Sequence, residues 1–115
     1  MTREILETID GYWEREDLPD DAPEVLDTFL DGLEAGELRS ARPEGDDWEV
    51  ERSVKRGILL GFQIGQNREF PDVEPFQFSD RETYPPQKLP LNERNIRIVP
   101  GGSAVRRGAY VGPNV

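Results

Sequence analysis

A chain of 115 residues, 35% hydrophobic and 33% charged, has room for one small core and is lean in apolar residues for a free-standing globule. It contains no cysteine and no histidine, which excludes disulfides, cysteine- or histidine-ligated metal centres and Ser-His or Cys-His nucleophilic machinery within this sequence. With 24 acidic against 14 basic residues, and a net charge of −10, it lacks the basic face that a duplex nucleic-acid partner requires.

In residues 2–16, Ile5, Leu6, Ile9, Tyr12 and Trp13 recur at helical spacing and predict a first amphipathic helix. A polar break with Pro19 follows. Pro23 suits the first turn of a second helix capped by Asp21 or Ala22, with Leu26, Phe29, Leu30 and Leu33 as its apolar stripe and Gly36 as its left-handed terminator. The two helices read as an antiparallel hairpin. Residues 38–41 and 48–50 are short extended candidates around the turn-rich segment 42–47, which predicts a small β-hairpin.

A third helix is expected over residues 51–64, with Val54, Ile58, Leu59 and Phe62 facing the core and Gly65 ending it. Gly57 and Gly61 lie four residues apart on it. Glycine costs a helix roughly 1 kcal/mol, so the pair points either to close backbone packing or to simple tolerance of a crowded core. From 66 to 92, Pro71, Pro75, Pro85, Pro86 and Pro90 interrupt every regular pattern, yet Phe70, Phe76, Phe78 and Tyr84 are too aromatic for a disordered linker. An ordered, extended arm that packs its aromatics on the helices or on a neighbouring subunit is expected. Ile96, Ile98 and Val99 then suggest a short strand. Val99, Val105 and Val111 recur every six residues, the period of one flat side of a left-handed parallel β-helix. The expected fold class is therefore α+β: a helical N-terminal domain with a hairpin (1–65), a Pro-rich arm (66–95), and the first coil of a hexapeptide-repeat solenoid (96–115), as the front part of a larger protein.

The order and spacing of several segments resemble a known family. They are Leu33-Glu34-Ala35-Gly36-Glu37-Leu38-Arg39, Trp48-Glu49-Val50, the helix from Val54 through Phe62, Tyr84 with Lys88-Leu89-Pro90-Leu91, Arg97-Ile98-Val99-Pro100 and Ala104-Val105-Arg106-Arg107-Gly108-Ala109-Tyr110. From about Val25 onward the chain resembles the N-terminal region of the tetrahydrodipicolinate N-succinyltransferases of diaminopimelate and lysine biosynthesis. The resemblance implies trimers with active sites between subunits and transfer of a succinyl group from succinyl-CoA to a dicarboxylate substrate. It also implies that Arg97 binds a substrate carboxylate, a role suited to the bidentate guanidinium fork. The catalytic acidic residues and the groove for the pantetheine arm fall beyond Val115 in this resemblance. No catalytic residue, metal ligand or cofactor-binding residue is therefore assigned here, and succinyl-CoA is expected only as co-substrate of the full-length enzyme.

Other polar features have plainer readings. Arg106 and Arg107 form a small basic spot suited to a solvated corner or a subunit contact, with a carboxylate or CoA phosphate as the functional alternative. Lys55 and Arg56 read as solvent-facing. Asp17, Asp20 and Asp21 lack calcium-loop spacing, Asp46-Asp47 reads as turn chemistry, and Gly101-Gly102-Ser103 lacks the Lys-Ser/Thr ending of a phosphate loop. Two other functions stay open: a non-catalytic assembly module, and the front of a different hexapeptide-repeat acyltransferase.

No apolar run is long enough for a transmembrane helix, and the N-terminus has no apolar signal core, so no membrane partner and a cytoplasmic location are expected. Lys55 and Lys88 are the only lysines in this acidic chain, a composition suited to salty surroundings. Screening relieves self-repulsion, so the melting temperature is expected to rise from low to molar salt; a flat or falling temperature contradicts this.

Overall fold

The computed structural model describes residues 2–70 and 76–115. Three helices carry the core: α1 (Thr2–Trp13), α2 (Ala22–Glu34) and α3 (Arg52–Ile64). Between α2 and α3 lies the hairpin β1 (Ala41–Glu44) and β2 (Asp47–Val50); after α3 comes a second hairpin, β3 (Asn67–Glu69) and β4 (Ser79–Arg81). Each hairpin is a separate two-stranded antiparallel sheet. The molecule is flattened, 42 × 39 × 21 Å.

Helix α1 buries Leu6 and Ile9, with Ile5 and Tyr12 packed partly against the same core. It stops at Trp13 rather than reaching residue 16, and Trp13 is exposed. Glu14, Glu16 and Asp17 crowd a helix C-terminus that has no basic residue in its last turn, and negative charge there opposes the helix dipole.

Helix α2 starts as expected. Asp21 is its N-cap residue and Pro23 sits in the first turn. The Asp21 carboxylate makes no capping bond; its Oδ1 instead accepts the Tyr12 hydroxyl proton at 2.6 Å, tying α1 to the start of α2. At the other end Gly36 has φ +77°, its N–H donates to Leu33 O at 3.1 Å, and the Glu37 N–H donates to Gly32 O at 3.0 Å. This is the Schellman arrangement. It turns the chain so that Leu38, 4% exposed, folds back over Gly32.

The first hairpin is present with different strand bounds. The extended candidate at 38–41 and the long turn at 42–47 give way to strands pairing Ala41 with Val50 and Glu44 with Asp47. Only Gly45 and Asp46 remain as the loop, with Gly45 at φ +61°, the requirement of a two-residue II′ turn. Pro43 is compatible with the strand because a two-stranded ribbon consists of edges alone.

Helix α3 presents Ser53, Val54, Gly57, Leu60 and Gly61 to the interior. Leu59, expected in the core, is 39% exposed, and Leu60 takes its place. The glycines mark close packing. A Cβ on Gly57 would lie 2.5 Å from Cζ of Phe29, and one on Gly61 would lie 2.6 Å from Cζ of Tyr84. Phe29 has no exposed surface at all.

The proline-rich arm is more regular than expected. Asn67–Glu69 and Ser79–Arg81 pair, extended by Phe70 N–H to Phe78 O (3.0 Å) and Glu82 N–H to Gln66 O (2.8 Å). Of the arm's aromatics, Tyr84 packs on the helices and is 4% exposed, whereas Phe76 and Phe78 are each 43% exposed and pack on one another. Pro71 and Pro75 lie outside the described residues. Residues 96–115 contain no strand; the expected strand at 96–99 is irregular, and the only bridge pairs Arg106 with Pro86. No helix among the described residues is long and apolar enough to cross a membrane.

Gly57→Ala is expected to lower the melting temperature. The gain in helix propensity, about 1 kcal/mol, is smaller than the roughly 1–3 kcal/mol of overpacking against an immobile ring. A thermal melt reads the sign directly.

Candidate functional site

Arg97 lies in an irregular segment whose position is fixed by its backbone. The adjacent Ile96 is 6% exposed, and the Arg97 N–H donates to Val115 O at 2.8 Å. The preceding turn is fastened to the same tail: the Arg94 guanidinium donates to Val111 O, the Asn114 N–H donates to Arg94 O at 2.9 Å, and Asn95 Nδ2 donates to Asn114 Oδ1 at 3.1 Å. Both asparagines adopt left-handed backbone angles, φ +54° and +67°, which Asn tolerates better than most side chains. The Arg97 side chain is exposed. Among the described residues it joins no ion pair.

Arg106 and Arg107 behave differently: Arg106 stays exposed at the surface, whereas Arg107 is largely covered. Arg106 pairs with Asp80 and lies 5.3 and 5.7 Å from the ring centroids of Phe62 and Tyr84. The hydrogen bond from Arg106, followed by one from the Arg81 backbone, holds the Asp80 carboxyl below its ordinary pKa. Arg107 points the opposite way, onto α2, where it meets Asp31 at 3.0 Å, Asp27 at 3.4 Å and Glu34. Its side chain is only 21% exposed. A signal for this was present in the sequence: Asp27, Asp31 and Glu34 line one face of α2 at i, i+4 and i+7 with no cation beside them.

The segment carrying these arginines is seated closely. Gln87 N–H donates to Val105 O and Arg107 N–H to Pro85 O, both at 2.8 Å, while Gln87 Nε2 donates to Arg106 O and Ala109 O at 2.9 Å each. Arg39 stacks on Tyr110 at 3.9 Å from the ring centroid.

A cavity of about 790 Å³ opens between the second hairpin and residues 98–106. Phe70, Phe76, Phe78, Ile98 and Val105 supply apolar wall, and Arg68, Asp80 and Arg106 supply charge. Arg97 is not part of that wall. Tyr84 also lines the cavity, and its hydroxyl is held by donation to Ile58 O at 2.6 Å. Burial pushes its pKa up to about 12, with the nearby Arg106 charge acting the other way. It is therefore a structural hydroxyl and not an acid or base near neutrality.

Of the remaining candidates, Arg56 is engaged within the fold and Lys55 is not. Arg56 pairs with Asp10 at 2.9 Å, and Ser53 donates to the same carboxylate at 2.7 Å. Lys55 is exposed. Asp21 is engaged by Tyr12, and no group of three potential metal ligands occurs among the described residues. Gly101 and Gly102 make a turn with φ +111° and +117°.

The geometry describes a small α+β domain onto which a C-terminal strap is docked, leaving one uncommitted guanidinium beside the strap. Residues 4–64 match the family model described as tetrahydrodipicolinate N-succinyltransferase N-terminal. The chain belongs to that family. It is 30% identical over 131 aligned positions to the 2,3,4,5-tetrahydropyridine-2,6-dicarboxylate N-succinyltransferase of Paraburkholderia phymatum, an alignment covering 100% of this chain and 45% of the relative. Proteins of the same name from Gluconobacter oxydans (32% over 101 positions; 80% of this chain, 34% of the relative) and Pseudoalteromonas translucida (34% over 93; 75% and 32%) are similar too. The chain thus spans less than half the length of these curated relatives.

The Tyr84 environment has a consequence for pH. Below about pH 10, folded and unfolded chains both keep the phenol proton. Between about 10 and the folded value of about 12, only the unfolded chain has lost it, so stability falls as pH rises. Tyr84→Phe is expected to cost about 1 kcal/mol at neutral pH for the lost hydrogen bond and to flatten the alkaline decline. Thermal melts of both proteins from pH 8 to 12 check this.

Proposed function

We propose that this chain serves as the N-terminal part of a succinyl-CoA-dependent tetrahydrodipicolinate N-succinyltransferase of diaminopimelate and lysine biosynthesis, a cytoplasmic homotrimer in its full-length form. The observation that carries the reading is the family match over residues 4–64, together with relatives that bear the enzyme's name across the rest of the chain. In this reading 1–65 is the helical domain, 66–95 the arm, and 96–115 the entry to a left-handed β-helix. Val99 and Val115, 73% and 65% exposed, are apolar surface that a stacked coil would cover. Arg97 binds a carboxylate of the dicarboxylate substrate. Its exposure and its lack of an internal carboxylate partner suit that role. The first hairpin, with Trp48 and Val50 69% and 67% exposed, supports a contribution to subunit assembly.

The test uses the full-length transferase that carries this region. Arg97→Ala is expected to raise KM for the dicarboxylate at least tenfold, since losing one member of a desolvated charge pair costs about 2–5 kcal/mol, and to leave KM for succinyl-CoA unchanged. An unchanged dicarboxylate constant rejects the assignment. The 115-residue chain by itself is expected to release no CoA thiol from succinyl-CoA in the presence of the dicarboxylate; detectable release overturns the division of labour.

A further inference from the structure

We propose that Arg107 is a positioning residue for Arg97: by gathering three carboxylates of α2 it fixes residues 105–115 as a strap on the helical layer, and the far end of the strap holds the Arg97 backbone. This rests on the reading of Arg97 as a substrate ligand.

The near end of the strap answers an electrostatic need of α2. Asp27, Asp31 and Glu34 share one face, and like charges four apart destabilise a helix. Glu34 also stands in the last turn, where negative charge opposes the dipole and where α2 has no basic residue. Arg107 reaches this face from 73 to 80 residues further along the chain. Its guanidinium supplies at once the missing counter-charge and the missing C-terminal cation. The fork shape matters, because Nη1 serves Asp31 and Glu34 while Nη2 faces Asp27.

The seat leaves little slack. Gly108, at φ +93°, lies so close to α2 that a Cβ there would stand 3.0 Å from Leu30 Cδ2. The Arg107 N–H is tied to Pro85 O, and Gln87 grips the carbonyls on both sides of the Arg107–Gly108 pair. The hold then passes along the strap. Val111 O takes the Arg94 guanidinium, Asn114 N–H bonds Arg94 O, and Val115 O takes the Arg97 N–H. The Arg97 guanidinium has no ion-pair partner among the described residues, so what the chain fixes is the backbone it springs from, and that backbone is held by the strap.

Two measurements test this. Native-state amide exchange on the 115-residue chain reads the clamp. Arg107→Gln is expected to speed exchange at Gln87, Arg97 and Arg107 at least tenfold while the central amides of α1 and α3 are unchanged. Arg107→Lys, which keeps the charge without the fork, falls between, and it decides the matter if the glutamine variant does not fold. Unchanged exchange at those three amides in a folded variant overturns the proposal. Steady-state kinetics of the full-length transferase reads the positioning. Arg107→Gln is expected to raise KM for the dicarboxylate at least fivefold, with KM for succinyl-CoA and kcat within twofold. Added to Arg97→Ala it is expected to bring no further loss. Equal rises for both substrates, or losses that multiply in the double variant, reduce Arg107 to a structural residue and overturn the proposal. If Arg97→Ala itself leaves the dicarboxylate constant unchanged, the ligand reading of Arg97 has failed and the positioning role falls with it; the exchange result then still reports whether the clamp exists.

Discussion

Phe29 meets α3 where α3 has no side chain. Its ring, with no exposed surface, lies over Gly57, and one turn further on the Tyr84 ring lies over Gly61. Two glycines in one helix cost about 2 kcal/mol of propensity. That cost is offset by burying two large rings from distant parts of the sequence against bare backbone, since an aromatic side chain contributes more buried area than any other. The consequence is topological as well as energetic. Phe29 locks α2 to α3. Tyr84, anchored by its hydroxyl to Ile58 O and packed with its ring tilted against Phe62 at 4.7 Å between centroids, brings the arm onto the same helix. Once the arm is fixed there, Pro85, Pro86 and Gln87 form the edge on which residues 105–109 bond.

Charge is arranged by a second rule. A chain with ten more negative than positive charges cannot neutralise its acids locally, and several arginines are placed where carboxylates would otherwise conflict. Arg56 from α3 meets Asp10 on α1, Arg107 meets the face of α2, and Arg106 meets Asp80 on β4. Most exposed pairs of this kind contribute little to stability. The Arg107 cluster differs in having one cation, four-fifths covered, shared among three acids, of which Glu34 is as covered as the arginine while Asp27 and Asp31 stay largely exposed.

The helices were legible because each buries one stripe at a 3.6-residue period, and because Pro23 and Gly36 punctuate α2 in a way few other residues can. The close approach at Gly57 and Gly61 was legible as one of two possibilities; the identity of the approaching rings was not, since nothing local links residue 57 to 29 or 61 to 84. The second hairpin was hidden because Asn67–Glu69 and Ser79–Arg81 are polar on both faces, so no alternation betrays them. The bounds of the first hairpin's strands are not legible because turn-forming residues run from 42 to 47, and only Gly45 takes the positive φ that defines the loop. The end of α1 depended on a balance of charge against dipole that apolar periodicity does not report.

Three arginines lie in residues 96–115, and a sequence reading has no ground in residue type alone for separating them. Packing separates them. Arg106 has an aromatic floor and an aspartate, Arg107 has three acids, and each is thereby already engaged within the chain. Arg97 has a pinned backbone and an uncommitted head. An internal carboxylate would compete with any incoming anion, and a freely moving backbone would add ordering cost to the roughly 2 kcal/mol of rotamer entropy an arginine already carries. In this acidic chain the Arg97 guanidinium joins no ion pair among the described residues, while the backbone beneath it is held in place. The hydrogen bonds from residues 94–97 to residues 111–115 supply that restraint, and the clamp on α2 supplies theirs.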